Sequence, residues 1–178
     1  MKDVMSGLDL RAIASELQVM VGGHCRKSYQ PHYEQVVLRL RTKEGGNSDL
    51  VLVRGKRIYL SKRDRPMPQN PAPFAMVLRK SLSNARLRAV EQIGYDRILK
   101  FVFERPFGMF HIYVEVFRDG NIILTDGDDV IIQPLTHKSY ADRVLKRGIV
   151  YTPPPAATNP YELDYDSFCE LMNDSDRN

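Results

Sequence analysis

The side chains best able to do chemistry are thinly spread in this chain. Its four histidines, His24, His32, His111 and His137, stand far apart in sequence. Only His24 has a thiol beside it, Cys25, and a dipeptide cannot by itself build the four-ligand tetrahedron that zinc needs. There is no GxSxG nucleophile turn, no Walker-type phosphate loop and no GxGxxG dinucleotide loop. Thr125-Asp126-Gly127-Asp128-Asp129 is acidic but lacks the twelve-residue ladder of a calcium loop, so it reads as a β-turn. Catalytic side chains, a metal and a cofactor are therefore not expected. The four histidines are read as surface or strand residues.

Three features suit binding better. Asp9 lies three residues after Ser6 at the start of an apolar-periodic segment, where an acid either caps a helix or orients a basic group or a ribose hydroxyl. Asp96-Arg97 falls between two strand candidates, on a short connection of the kind where a rigid sheet displays binding groups. It is either a turn with a local ion pair or a grip in which Arg97 holds a phosphate or stacks on a base. A basic set, Arg54, Lys56, Arg57, Lys62, Arg63, Arg65, Arg79, Lys80, Arg86 and Arg88, interleaves with Tyr59. It makes a phosphate-binding face if folding gathers it, and a solvated surface if folding disperses it.

The elements that must position these residues are legible from periodicity. Leu10, Ile13, Ala14, Leu17 and Val21 recur at helical spacing and predict a helix over 6–21, stopped by Gly22-Gly23. Phe74, Val77, Leu78 and Leu82 predict a second helix over 74–82, after the proline-rich loop 65–73. Strands are predicted over 35–41, 50–53, 57–60, 88–94, 97–104, 110–117, 121–125 and 130–133, with Asp119-Gly120 as a hairpin turn. Residues 138–146 read as a short helix or turn, and Pro153-Pro154-Pro155 as a stiff break. The expected fold class is α+β: an antiparallel β-sandwich or flattened barrel with flanking helices.

Bulk properties narrow the partners. The chain has 178 residues and a net charge of +4. Between Arg54 and Arg105 stand thirteen Lys and Arg against four acids, whereas 156–178 holds six acids and one Arg. Residues 1–155 are thus more basic than the total suggests, which favours a polyanionic partner. Two cysteines in unlike surroundings suggest no disulfide framework, and a reducing compartment, the cytoplasm, is expected. No apolar run approaches the ~20 residues of a membrane helix, so no membrane partner is expected.

Five segments in order carry a family resemblance: Ser6-Gly7-Leu8-Asp9, the run from Arg54 to Leu60, the run from Phe74 to Lys80, the run from Val90 to Ile98, and the run from Gly120 to Asp126. The string resembles the N-terminal domain of the NFACT family, departing at Ser81, where the family often has His. The resemblance implies a domain over 1–152, with 153–178 as a linker and the start of a helix-hairpin-helix domain. It implies a fold similar to the N-terminal domain of formamidopyrimidine-type DNA glycosylases, without the N-terminal nucleophile of those enzymes. It also implies a non-catalytic RNA-binding role in ribosome quality control. The partners would be tRNA, rRNA and the large ribosomal subunit with stalled peptidyl-tRNA, and the outcome template-free tailing of the stalled chain. Asp9, Asp96 and Arg97 are the positions that the resemblance implicates in tRNA recruitment, beside Arg57, Arg79 and Lys80 of the basic set. A homodimer is left open. A glycosylase-like enzyme and a fibronectin-binding adhesin are the alternatives.

Overall fold

Ser6 starts the first helix as its spacing to Asp9 predicts. In the computed structural model, which describes residues 4–63, 65–94 and 96–155, α1 (Gly7–Glu16) opens with a closed capping box. Ser6 Oγ accepts from the Asp9 N–H at 3.1 Å, and the Asp9 carboxylate accepts from the Ser6 N–H at 2.8 Å. Leu10 and Ile13 bury its inner face. The helix is shorter than predicted, because Leu17–Met20 tightens into a 3-10 turn before Gly22 reverses the chain at φ +94°.

Eleven strands and one more helix follow: β1 (His24–His32), β2 (Gln35–Arg41), β3 (Asn47–Val53), β4 (Arg57–Ser61), α2 (Pro73–Leu82), β5 (Arg86–Gln92), β6 (Ile98–Arg105), β7 (Gly108–Glu115), β8 (Ile122–Asp126), β9 (Ile131–Pro134), β10 (Lys138–Ser139) and β11 (Val144–Leu145). All eight predicted strands are present. β1 is additional. Its sequence, HCRKSYQPH, hides the strand because a register shift between Cys25 and Lys27 breaks the alternation of buried and exposed positions. Residues 138–146 form the two-stranded ribbon β10–β11 rather than a helix. The predicted helical start within 159–178 lies outside the described residues.

The class is α+β and antiparallel, but the sandwich or flattened barrel gives way to one open nine-stranded sheet in the order β4-β3-β2-β1-β5-β6-β7-β8-β9. The reason lies at the middle of that order. β1 and β5 share the single residue pair His24–Arg86, whereas every other neighbouring pair aligns over at least three positions. Beyond His24 the two halves of the sheet part, and α2 packs along β1. Arg79 of α2 completes the cover, its Nε donating to the Ser28 carbonyl at 2.8 Å and so occupying an acceptor of the uncovered strand edge. The inner faces of both halves still supply one core: Leu38, Leu50 and Ile58 from the first, Phe101, Ile112 and Leu124 from the second, with Leu10 and Leu78 from the helices. The β3–β4 turn reaches β7, where the Gly55 N–H donates to the Glu115 carbonyl at 3.2 Å.

The outer face of β6–β8 is covered by the chain after β9. Tyr113, Ile123, Leu145 and Tyr151 pack together there. Glu115, fully buried, anchors this cover: Arg143 donates to both of its oxygens at 2.6 and 3.0 Å, and the Tyr151 hydroxyl donates at 2.8 Å. A charge buried with a bidentate partner and a further donor is satisfied; removing one partner would leave it exposed to its full desolvation cost.

The tightest connection is the β7–β8 turn, where Asp119 takes φ +59° and the Gly120 N–H donates to the Phe117 carbonyl at 2.8 Å. A Cβ on Gly120 would stand 2.1 Å from the Glu115 carbonyl oxygen and 2.7 Å from that of Phe117. Both obstacles are backbone and cannot swing aside. Gly120→Ala is therefore expected to cost about 3 kcal/mol, the upper end for overpacking, measured as a lowered urea midpoint with an unchanged m-value.

Candidate functional site

Three connections meet at one end of the sheet: the start of α1, the β5–β6 loop and the β7–β8 turn. Between them lies a cavity of about 600 Å³ lined by Ser6, Gly7, Asp96, Arg97, Phe117, Arg118 and Pro154. Asp96 and Arg97, picked out from sequence, form one wall. The first turn of α1 forms another, presenting the positive end of the helix dipole. Asp9 sits one turn deeper: it does not line the cavity but holds Ser6, which does, through the capping box.

Backbone bonds fix the loop. The Asp96 N–H donates to the Ile93 carbonyl at 3.1 Å, and the Arg97 carbonyl accepts from the Val116 N–H at 2.7 Å. Gln92 ties loop to helix. Its Nε2 donates to the Gly7 carbonyl at 2.9 Å and to the Asp96 carbonyl at 3.1 Å, so one side-chain amide bridges two walls. Gly94 turns the loop at φ +56°. On the remaining wall, Phe117 packs on the buried cluster around Tyr113, and the Arg143 guanidinium that holds Glu115 also donates to the Thr152 carbonyl at 3.1 Å, two residues before Pro154.

The chemistry on offer is that of a binding pocket. The side chains of Arg97 and Arg118 are exposed and make no hydrogen bond or ion pair among the described residues. Two guanidiniums at a helix N-terminus suit a phosphate. The Asp96 carboxylate can accept from a hydroxyl, and the faces of Phe117 and Pro154 can take an apolar ring. Arg118 also borders a smaller depression of about 320 Å³ shared with Arg54 and Lys56, which extends the basic lining. There Arg54 donates to Thr136 Oγ1 at 2.7 Å, and Lys56 pairs with Glu34 at 3.4 Å.

Folding divides the remaining predicted residues. Arg57 stands on the outer face of β4, in the rank of Gln35 and Val53. Arg79 reaches over the Tyr29 ring, 5.2 Å from its centroid. Lys80 is exposed on α2, away from the cavity lining. These three do not join Asp96 and Arg97. Conversely, sequence reasoning did not single out Gln92, Phe117, Arg118 or Pro154. Phe117 and Arg118 do precede a recognisable Asp-Gly turn, but nothing local says which loop that turn will meet.

A second polar constellation lies on the outer face of β7. His111 Nδ1 and Asp129 Oδ1 are 2.8 Å apart, and the Tyr113 hydroxyl donates to the same oxygen at 2.6 Å. Burial alone would raise the Asp129 carboxyl. Hydrogen bonds from Tyr113 and His111, with the charges of His111 and Lys100, instead bring it below its ordinary value. Burial, then the bond and charge of Asp129, push the Tyr113 phenol up. The group lines none of the cavities described, and Asp129, at φ +64°, belongs to the 125–129 turn, where Asp126 Oδ1 accepts from the Asp128 and Val130 N–H groups. It is a turn clamp. Cys25, whose thiol burial pushes up to about 11, is likewise inert core. No group of three or more potential metal ligands occurs among the described residues, and no described helix is long and apolar enough to cross a membrane.

Comparison with known proteins adds to this geometry. The sequence profile of the NFACT N-terminal and middle domains matches residues 6–178. The archaeal Rqc2 homolog aRqcH of Methanocaldococcus jannaschii is 34% identical over 180 residues, covering 98% of this chain and 27% of that protein. The human ribosome quality control complex subunit NEMF is 34% identical over 140 residues, covering 78% of this chain and 13% of that protein. Among solved structures, the N-terminal region of the fibronectin/fibrinogen-binding protein of Streptococcus suis superposes with a TM-score of 0.82 at 28% identity, covering 94% of this chain and 68% of that one. The N-terminal domain of fibronectin-binding protein PavA of Streptococcus pneumoniae gives 0.80 at 27% identity, with the same coverage. This chain spans about a quarter of the archaeal relative's length and less of the human one's.

Two outcomes follow from the site's construction. Gln92→Ala removes both bridging bonds and is expected to cost about 1–2 kcal/mol, with amide exchange at Asp96 and Arg97 rising before the core exchanges. Asp129 titrates below the ordinary 3.8 in the fold, so its contribution is present above that pH and lost as pH falls through the lower folded value. The stability gap between the native chain and Asp129→Asn, read by thermal melts, should be widest near neutrality and close below pH 3.8.

Proposed function

Because the chain belongs to the NFACT family, we propose that it serves as the RNA-binding N-terminal domain of a ribosome quality control factor. In this reading it works in the cytoplasm on the large ribosomal subunit that carries a stalled peptidyl-tRNA. It recruits tRNA for template-free extension of the stalled chain's C-terminus. It is not itself an enzyme; the ribosome does the chemistry and this domain positions RNA.

The observation that carries the reading is the convergence of Arg97 and Arg118 with Asp96 at the first turn of α1. Two exposed cations with no ion pair among the described residues, beside a carboxylate and an aromatic face, match the parts of a nucleotide: phosphate, hydroxyl and base. A non-catalytic role is supported by the lining itself. Ser6 Oγ, the hydroxyl of the cavity, is already engaged by the Asp9 N–H, and no histidine borders it. The names of the ribosomal relatives supply the setting, and the basic character of residues 1–155 supplies the long-range attraction.

Arg97→Glu tests this. The side chain is exposed, so the fold should survive, with a melting temperature close to that of the native chain. Binding of tRNA by the chain is expected to be weak and steeply salt-dependent, and the variant to weaken it about tenfold or more, with the salt slope falling by about one or two. Undiminished tRNA binding by a folded variant would remove the site assignment. The adhesin reading, raised by the streptococcal names, instead expects saturable binding to immobilised fibronectin that Arg97→Glu leaves intact. The glycosylase reading expects cleavage of damaged duplexes.

A further inference from the structure

The outer face of β1–β4 lies apart from the Asp96–Arg97 cavity and has its own character. Strand register defines it. Gln35, Val53 and Arg57 form one rank, then Tyr29, Val37, Val51 and Tyr59, then Lys27, Arg39, Asp49 and Ser61, then Arg41 and Asn47. Val37 and Val51 are buried under it, with Met67 of the proline-rich loop packed against them. The charged side chains of this face are almost entirely cationic. Of these strand positions only Asp49 is acidic, and its charge is matched by Arg39, whose Nε and Nη2 lie 2.9 and 3.2 Å from its oxygens.

Cations from outside the strands lean onto the same surface. Arg79 comes from α2 and Arg65 from the proline-rich loop, and Lys62 and Arg63 border a depression of about 290 Å³ with Arg39 and Ser61. With Lys27, Arg41 and Arg57, seven positive side chains beyond the Arg39–Asp49 pair share the face. Strand spacing makes it about 14 Å across and about 20 Å long.

The two tyrosines decide what such a surface can read. Single-stranded nucleic acid is usually held by stacking its bases on aromatic faces. Here those faces are occupied. Lys27, Arg39 and Arg79 lie 5.6, 5.3 and 5.2 Å from the Tyr29 centroid, and Arg65 lies 5.7 Å from that of Tyr59. The phenol oxygens are engaged as well, by Arg39 at 3.4 Å and Arg65 at 3.3 Å. The rings serve as posts that stiffen guanidiniums through cation–π contact, not as platforms for bases. What is left is a firm lattice of positive charge with no tyrosine face open for stacking. Its complement is a polyanion whose charges are themselves at fixed spacing: about 20 Å of duplex carries about twelve phosphates.

We propose that the outer face of β1–β4 is a second nucleic-acid surface, one that grips the backbone of double-helical RNA without reading sequence. The choice of RNA rests on the ribosomal role argued above; the preference for a duplex rests on the capped tyrosines alone. The domain would then hold two RNA elements at once, one by the Asp96–Arg97 cavity and one by this face.

The test uses fluorescence anisotropy with the chain described here and three probes of equal length: an RNA duplex of about 20 base pairs, the corresponding single strand, and a DNA duplex. The triple variant Lys27→Gln/Lys62→Gln/Arg63→Gln removes three exposed charges that hold no ion pair among the described residues. It is expected to weaken RNA-duplex binding at least tenfold and to lower the salt slope by about two to three, while Arg97→Glu changes duplex binding by less than twofold. The single strand should bind more weakly than either duplex, and the two duplexes should bind within about tenfold of each other. If the triple variant does not fold, as read by its thermal melt, Lys62→Gln alone should still lower the slope by about one. Duplex binding unaffected by these changes, tighter binding of the single strand, or a preference for DNA duplex beyond tenfold would overturn the proposal. Loss of duplex binding in Arg97→Glu to the same extent would also do so, by showing a single site. Because tRNA stems are themselves duplex, the effect of Arg97→Glu on tRNA is also read in the triple variant, where the face is disabled; failure here then leaves the tRNA reading standing, and the reverse.

Discussion

Everything at the candidate site depends on one constraint: the start of α1 must be held against two connections, the β5–β6 loop and the β7–β8 turn, that the β6–β7 pairing already sets side by side. Gln92 meets that constraint at its centre. As the last residue of β5, it is fixed by the sheet behind it, and its amide reaches the carbonyls of Gly7 and Asp96 together. The third connection, the β7–β8 turn, is fixed from the other side by Glu115, whose carbonyl accepts from Gly55 and whose carboxylate is held by Arg143 and Tyr151. The cavity is thus preorganised by buried or half-buried polar contacts, while its cations stay exposed. That division of labour suits a binding site, where rigidity lowers the entropy cost of association and exposed charge supplies the attraction.

The splitting of the sheet at the His24–Arg86 pair has a consequence for charge as well as for shape. Because β1 parts from β5, α2 can lie beside it, and Arg79 can both cap Ser28 and reach Tyr29 on the outer face. Part of the basic set is thereby sorted into two places. Arg54 and Lys56 lie beside Arg118 near the cavity, and Arg57, Arg65 and Arg79 gather on the outer face, while Lys80, Arg86 and Arg88 join neither group. One stretch of sequence supplies two surfaces because β4 and its flanking turns pass from one to the other.

What the sequence made legible was whatever depends on near neighbours. The Ser6–Asp9 capping box, the Asp119-Gly120 turn and the strand segments β2 through β9 are all set within a few residues, and each stands as expected. Asp96-Arg97 was placed on a connecting loop for the same reason. What was hidden depends on distant partners. β1 is masked by its register shift, the open sheet depends on how two halves diverge, and the fate of Arg57 depends on strand parity that only the pairing with Val53 fixes. Gln92 looked like any polar strand end until its two acceptors, from separate elements, came within reach. Asp9 is a cap by geometry, and through Ser6 it also supports the cavity wall, a link the sequence did not suggest.

The central claim is that nucleic acid enters the cavity bounded by α1, the β5–β6 loop and the β7–β8 turn. Mapping backbone amide chemical shifts while tRNA is titrated into the chain tests it most directly. The largest perturbations are expected at Ser6, Gly7, Asp96, Arg97, Phe117 and Arg118. Perturbations confined to other surfaces, with these six amides unmoved at saturation, would contradict it.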